Sequence, residues 1–161
     1  LTDTALTSTP ADTDAYNLYL QARQEDILST AESTVNAIQL AKESVAIDTT
    51  YAPTWAMLSI LYYTASYSFI ITPMENARKE GIAAAKKAIA LDPNYIRGYT
   101  SLALWEHASW NFKAANQMLE KANQLAPNNI NLNGSRAKFA LNNGKPELAI
   151  ELTLKLSNSI R

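Results

Sequence analysis

His107 is the only histidine in this chain of 161 residues, and there is no cysteine. A base or nucleophile works only with a partner within hydrogen-bond reach. One imidazole and no thiol therefore leave no material for a nucleophilic triad or a His-rich zinc site. No glycine-rich phosphate loop is present either. Carboxylates are the remaining reactive groups. Glu25-Asp26 and Glu106 do not show the paired, helix-facing spacing that two-carboxylate chemistry needs. The sequence thus points to no enzyme activity, no metal and no cofactor, and moves attention to the elements that would present a binding surface.

Composition narrows the partners. Hydrophobic residues make up 47% of the chain and charged residues 18%, which suits one domain with a real core. Four Gly and six Pro argue against disorder and against a turn-dense β fold. A net charge of -1 supplies no field to attract nucleic acid or an acidic membrane. The run Thr49 to Met74 lacks any charge and is long enough to span a bilayer, but it holds Pro53, Pro73 and four Tyr. A helix pair with one buried face accounts for it better, so no direct membrane contact is expected. The chain begins at Leu1 without a signal-peptide pattern and reads as a segment of a longer protein.

The organising stretch is Ile96 to Asn129, two helical patterns closed by a proline. Leu91-Asp92-Pro93-Asn94 recurs as Leu125-Ala126-Pro127-Asn128, with the prolines 34 residues apart. That period belongs to helix-turn-helix repeats. Tyr99, Leu102, Ala103, Ala115, Ala122 and Pro127 fall at the repeat's 4th, 7th, 8th, 20th, 27th and 32nd positions. On these residues the chain resembles the tetratricopeptide repeat (TPR) family. Glu106 departs from it, since the family prefers an aromatic at that position, and Trp105 beside it is a candidate for the missing bulk. The resemblance implies an all-α fold, a right-handed α-α superhelix of four helix pairs, because a single pair cannot bury its apolar face alone.

Taken in order, residues 1–11 read as a linker or frayed arm, and 12–161 as the repeat domain, with repeats near 14–51, 52–95, 96–129 and 130–161. The first helix starts near Asp12. Ser29 and Glu32 have capping-box spacing, and a second helix follows to Ile47. Trp55, Leu58, Ser59 and Tyr62 open the second repeat, with Pro53 in its first turn. This repeat is about ten residues too long for the period. The surplus is placed between its helices, extending the first to about Phe69, with Thr72 as N-cap and Pro73 as first residue of the next. Trp55, Leu58, Leu102 and Leu119 are expected in the core. Tyr67 to Ile71 should pack against Trp105 or Trp110. Asn142-Asn143-Gly144 stops the seventh helix and Pro146 starts the last.

In the TPR family the functional surface is the concave side, lined by the first helix of each pair. The matching positions here are Tyr16, Tyr19 and Arg23; Pro53, Ala56, Ile60 and Tyr63; Arg97, Thr100, Leu104 and His107; and Asn131, Gly134, Lys138 and Leu141. Such a groove is aromatic and apolar toward the N-terminal half and basic toward the other, which suits an extended peptide or partner helix. Arg97 and Lys138 alone are too few for a carboxylate clamp. The blander expectation is that the tyrosines are half-buried packing residues and that Asn128, Asn129 and Asn131 are turn chemistry.

AYNLYLQAR, the long insertion, LDPNYIRGYTSLAL and ASWNFKAANQMLEKA together resemble the repeat region of bacterial membrane-anchored regulators with adenylate cyclase-like or winged-helix activator-like domains. That resemblance implies a regulatory segment on the periplasmic side, with a cytoplasmic location as the alternative. Protein or peptide partners are expected. Homo-oligomerisation is the other reading, since Ile150, Leu152, Leu154 and Leu156 leave the last helix without a purely polar face.

Overall fold

Asp12 caps the first helix: its carboxylate accepts from the backbone N–H groups of Asp14 and Ala15 at 2.8 and 2.9 Å. That cap satisfies donors which the helix itself leaves free. The structure, a computed structural model, describes residues 9–127 and 129–158. Among them are eight helices: α1 (Thr13–Leu28), α2 (Ala31–Ile47), α3 (Ala52–Tyr67), α4 (Met74–Leu91), α5 (Ile96–Ala108), α6 (Phe112–Leu125), α7 (Ile130–Asn142) and α8 (Pro146–Asn158). No strand occurs among the described residues. Consecutive helices pair as α1–α2, α3–α4, α5–α6 and α7–α8, and each pair rests on the next.

The joints between pairs use the same chemistry. Asp48 and Asp92 cap the ends of α2 and α4 in extended conformation. Asp48 accepts from Thr50 and, through its other oxygen, from the N–H of Ala11, which ties the entering chain to the second helix. Tyr51 and Tyr95 follow, both buried, where α3 and α5 start. At the third joint Asn129 takes over and caps α7 by accepting from Leu132 N–H at 2.9 Å.

Small residues set the spacing between helices. Ala37, Ala41, Gly81, Ala85, Ala88, Ala103, Ala115 and Ala122 are all buried. A side chain added at Gly98 would meet Ile89 Cγ1 at 2.9 Å and its backbone N at 3.3 Å, so α5 and α4 touch closely there. Gly81 admits a larger object. Its missing Cβ would lie 2.3 Å from the Trp105 ring, which is fully buried and donates from Nε1 to Ser59 Oγ at 3.1 Å. A buried indole N–H needs such a partner. Trp105 thereby joins α3, α4 and α5, as the bulk missing at Glu106 foreshadowed.

Several local expectations are corrected. The capping box sits one residue later than expected. Thr30 Oγ1 accepts from Ser33 N–H and Ser33 Oγ from Thr30 N–H, both at 3.0 Å, while Ser29 closes α1 with φ 51°. The hydroxyl at the N3 position replaces the longer Glu32 side chain. α3 stops at Tyr67, not Phe69, and Pro73 itself, not Thr72, occupies the cap position of α4, with no side-chain cap. Trp55 is half-buried: its Nε1 donates to Thr49 O at 3.0 Å and so faces the joint, not the centre. Of the inserted segment, only Tyr67 reaches Trp105, at 6.5 Å between ring centroids. Ile70 and Ile71 are exposed and Phe69 is half-buried. Trp110 is exposed as well, because the tight turn after α5 points it outward.

Gly81→Ala is expected to destabilise the fold by about 1–3 kcal/mol, since the Trp105 ring must move off its seat. Urea unfolding followed by tryptophan fluorescence measures it. Phe69→Ala should cost about 1 kcal/mol, below the ~3 kcal/mol of a fully buried phenylalanine, because water already covers part of the ring.

Candidate partner-binding groove

Tyr16, Tyr19, Arg23 and Asp26 descend α1 at steps of three, four and three, which places them on one face. Tyr16 is half-buried, whereas Tyr19 is only 3% exposed. Their rings stack at 6.0 Å, and Tyr51 meets both edge-on at 5.9 and 5.4 Å. This cluster fixes the N-terminal wall. The exposed Arg23 guanidinium lies over the Tyr19 ring, 5.8 Å from its centroid. Burial pushes the Asp26 carboxyl above its ordinary range, while the charges of Arg97 and Arg23 pull it down. Arg97 belongs to α5, so the end of α1 and the start of α5 lie within electrostatic reach of each other.

From α3 come Ile60 and Tyr63, both half-buried, while Pro53 and Ala56 on the same helix are buried against neighbours. Tyr63 stacks on Tyr67 at 4.5 Å and meets Trp105 edge-on at 5.3 Å. Burial, then Tyr67, pushes the Tyr63 hydroxyl above its usual range. On α5, Arg97, Thr100, Leu104 and His107 are half-buried. The Thr100 hydroxyl donates to the carbonyl of Arg97 at 3.2 Å, and Leu104 packs on the cluster of Tyr99, Leu119 and Phe139. α7 offers Asn131, Lys138 and Leu141 to solvent, with Gly134 half-buried.

The structure brings these residues together in three groups: Arg23 and Arg97 around Asp26, Tyr63 and Tyr67 on Trp105, and His107 beside Lys138. None of these contacts involves Asn131. Two members were missed from sequence. Asp26 continues the stripe three residues beyond Arg23, and its role depends on Arg97, which comes from another helix. Tyr67, four residues after Tyr63, lies within the insertion, outside the repeat positions that mark the groove. A cavity of about 210 Å³ opens elsewhere, between α6, α7 and α8, lined by Leu119, Arg136, Ala140 and Leu152. It contains none of the groove residues.

Among the described residues no group of three or more His, Asp or Glu could hold a metal ion, and no helix is long and apolar enough to cross a membrane. His107 has aromatic company instead. Its ring lies between Phe112 at 5.1 Å and Phe139 at 4.5 Å, and its buried Nε2 has no hydrogen-bond partner. Burial, then the charge of Lys138, holds the imidazole below its ordinary pKa. The folded protein therefore binds this proton less readily than the unfolded chain. Stability held above about pH 6.5 should fall as the pH drops below it. A thermal melt series from about pH 7 to about pH 5 should show that slope in the wild type and a flatter one in His107→Gln.

Known structures share this architecture. A thermophilic TPR protein of Thermus thermophilus superposes with a TM-score of 0.79 at 20% identity, covering 89% of this chain and 73% of the other. A crystal structure of MamA matches with a TM-score of 0.63 at 21% identity, over 92% of this chain and 80% of the other. The first TPR of Spaghetti, bound to the HSP90 peptide SRMEEVD, matches with 0.63 at 14% identity, over 91% and 99%. No protein-family model matches the sequence, and no curated relative does. The eight paired helices and these likenesses establish the fold of the chain as the all-α solenoid of tetratricopeptide-repeat proteins.

Proposed function

We propose that this chain is a non-catalytic interaction module that holds an extended segment of a partner protein along the face formed by α1, α3, α5 and α7. The observations that carry the reading are the grouping of Arg23 and Arg97 about Asp26, which relates α1 to α5, and the Tyr63–Tyr67 stack presented by α3. The Asp26 carboxylate lies in the field of both Arg97 and Arg23, two cations to one anion, and Lys138 on α7 adds a further positive charge to the face. The aromatic rings of α3 offer rigid apolar area at low entropic cost. A peptide with an acidic residue near an apolar one complements that surface. The peptide-bound TPR of Spaghetti, similar in fold, supports a peptide as ligand. The contacting residues would be Tyr16, Arg23, Ile60, Tyr63, Arg97, Thr100, Leu104, His107, Asn131 and Lys138, with the buried Tyr19 backing the wall.

The parent protein is proposed to be a larger bacterial signalling protein with this segment, 12–161, as its regulatory domain on the periplasmic side. The support is the resemblance of the first three repeats to membrane-anchored regulators. Self-association is the second reading, favoured by Ile150 and Leu154, which stay exposed on α8 while Leu152 is buried. The side chain of Leu156 lies outside the described residues. Sedimentation separates the two: a monomer at high concentration rules out self-association.

The groove is tested with peptides selected on the wild type from a random library. Tyr63→Ala combined with Arg97→Glu should weaken their binding by roughly tenfold or more, the effect of losing an interface anchor. Equal binding to both proteins, measured by fluorescence anisotropy, would refute the groove assignment. Circular dichroism confirms that the variant remains helical.

A further inference from the structure

The four helix pairs each turn through one residue in the left-handed region: Ser29 at φ 51°, Ile70 at 55°, Trp110 at 60° and Gly144 at 68°. The last two share a closing pattern. Trp110 N–H donates to His107 O at 2.9 Å and Asn111 N–H to Glu106 O at 2.9 Å. Gly144 N–H and Lys145 N–H do the same to Leu141 and Ala140. At this helix-ending position glycine is the usual occupant, because a Cβ costs energy there. Ile70 is the most strained of the four, being β-branched. Moreover, the two bulky side chains gain little burial in return: Ile70 is 84% exposed and Trp110 81%. Trp110 meets the Phe112 ring edge-on at 5.7 Å, yet this single contact leaves most of the indole in water; backbone strain retained at a surface points to a role there.

Both lie at the same edge of consecutive pairs, with the exposed Ile71 and Met74 beside Ile70 in the chain. The edge is continuous with the groove. Tyr63 stacks on Tyr67, and the Tyr67 hydroxyl donates to the carbonyl of Ala108, two residues before Trp110. Helix starts behind the edge carry both signs of charge, Glu75 with Arg78 and Lys79 on α4 and Lys113 on α6. No field of one sign favours an anionic lipid surface, so an apolar protein contact fits best.

We propose that Ile70 and Trp110 are anchors for the same partner segment that occupies the groove, binding an apolar side chain of it where the segment leaves over Tyr63 and Tyr67. The proposal rests on the groove reading and adds to it a second contact outside the groove.

The test uses the library-selected peptides with Ile70→Gly and Trp110→Gly, singly and together. The double variant should keep or raise the melting temperature, because glycine relieves the left-handed strain. It should also weaken peptide binding by about tenfold. Gly144→Ala calibrates the strain: its added Cβ meets no atom within 4 Å, so a lowered melting temperature reports the backbone. Unchanged peptide affinity in the double variant, with Tyr63→Ala still harmful, overturns the edge and leaves the groove standing. The reverse pattern, binding lost in the double variant but unchanged in Tyr63→Ala, sinks the groove reading and with it the claim that one segment occupies both. A melting temperature that falls in both glycine variants assigns the side chains to folding and overturns the proposal, as does failure to select any peptide. Trp110-dependent binding to phosphatidylcholine–phosphatidylglycerol vesicles would replace the protein partner with lipid.

Discussion

The Trp105 ring, seated where Gly81 has no side chain, is the contact on which the middle of the solenoid depends. Three helices meet there. α5 supplies the indole, α4 the space, and α3 the Ser59 hydroxyl that accepts its N–H. Truncating a buried ring of this size typically costs 3–5 kcal/mol, roughly half of what holds a small domain folded. The contact also decides what stands above it. Tyr63 and Tyr67 lie against the same indole, so the aromatic wall of the candidate groove is held by the core and not by solvent-exposed packing.

The ends of the array are built differently. At the N-terminal end, polar side chains stitch helices together: Ser44 Oγ donates to the carbonyl of Ala15 at 2.8 Å, and Asp48 reaches back to Ala11. At the C-terminal end, Arg136 joins α7 to α6 through Glu120 and Asn123, both at 2.9 Å. The Glu120 side chain is largely exposed, which limits its ion pair to a modest contribution. Leu132 and Phe139, buried with Leu119 and Ala122, supply the apolar share of that joint, and His107 meets Phe139 edge-on. The fourth pair thus hangs on fewer and more solvent-exposed contacts than the others, and its opening should need less energy than opening the middle.

Much of the fold was legible because it is encoded locally. A small residue is needed wherever helix axes approach, and the 34-residue spacing of prolines follows from the length of one pair. Ala37, Ala103, Ala115 and Ala122 carried that signal, and all are buried. The candidate groove was less legible. The resemblance to the repeat family implied Tyr16, Tyr19 and Arg23, but not Asp26, whose importance comes from Arg97 on a distant helix.

The sequence by itself determined the helices, their pairing and the residues small enough to lie between them, since each follows from backbone preference and periodic spacing. Only tertiary structure decided which tryptophan enters the core. Trp105 and Trp110 are five residues apart in similar company. One points at Gly81 and is buried; the other falls on the left-handed residue that ends α5 and is turned out to water. Their fates differ because burial depends on what a distant helix leaves vacant, and that is fixed only when the helices pack.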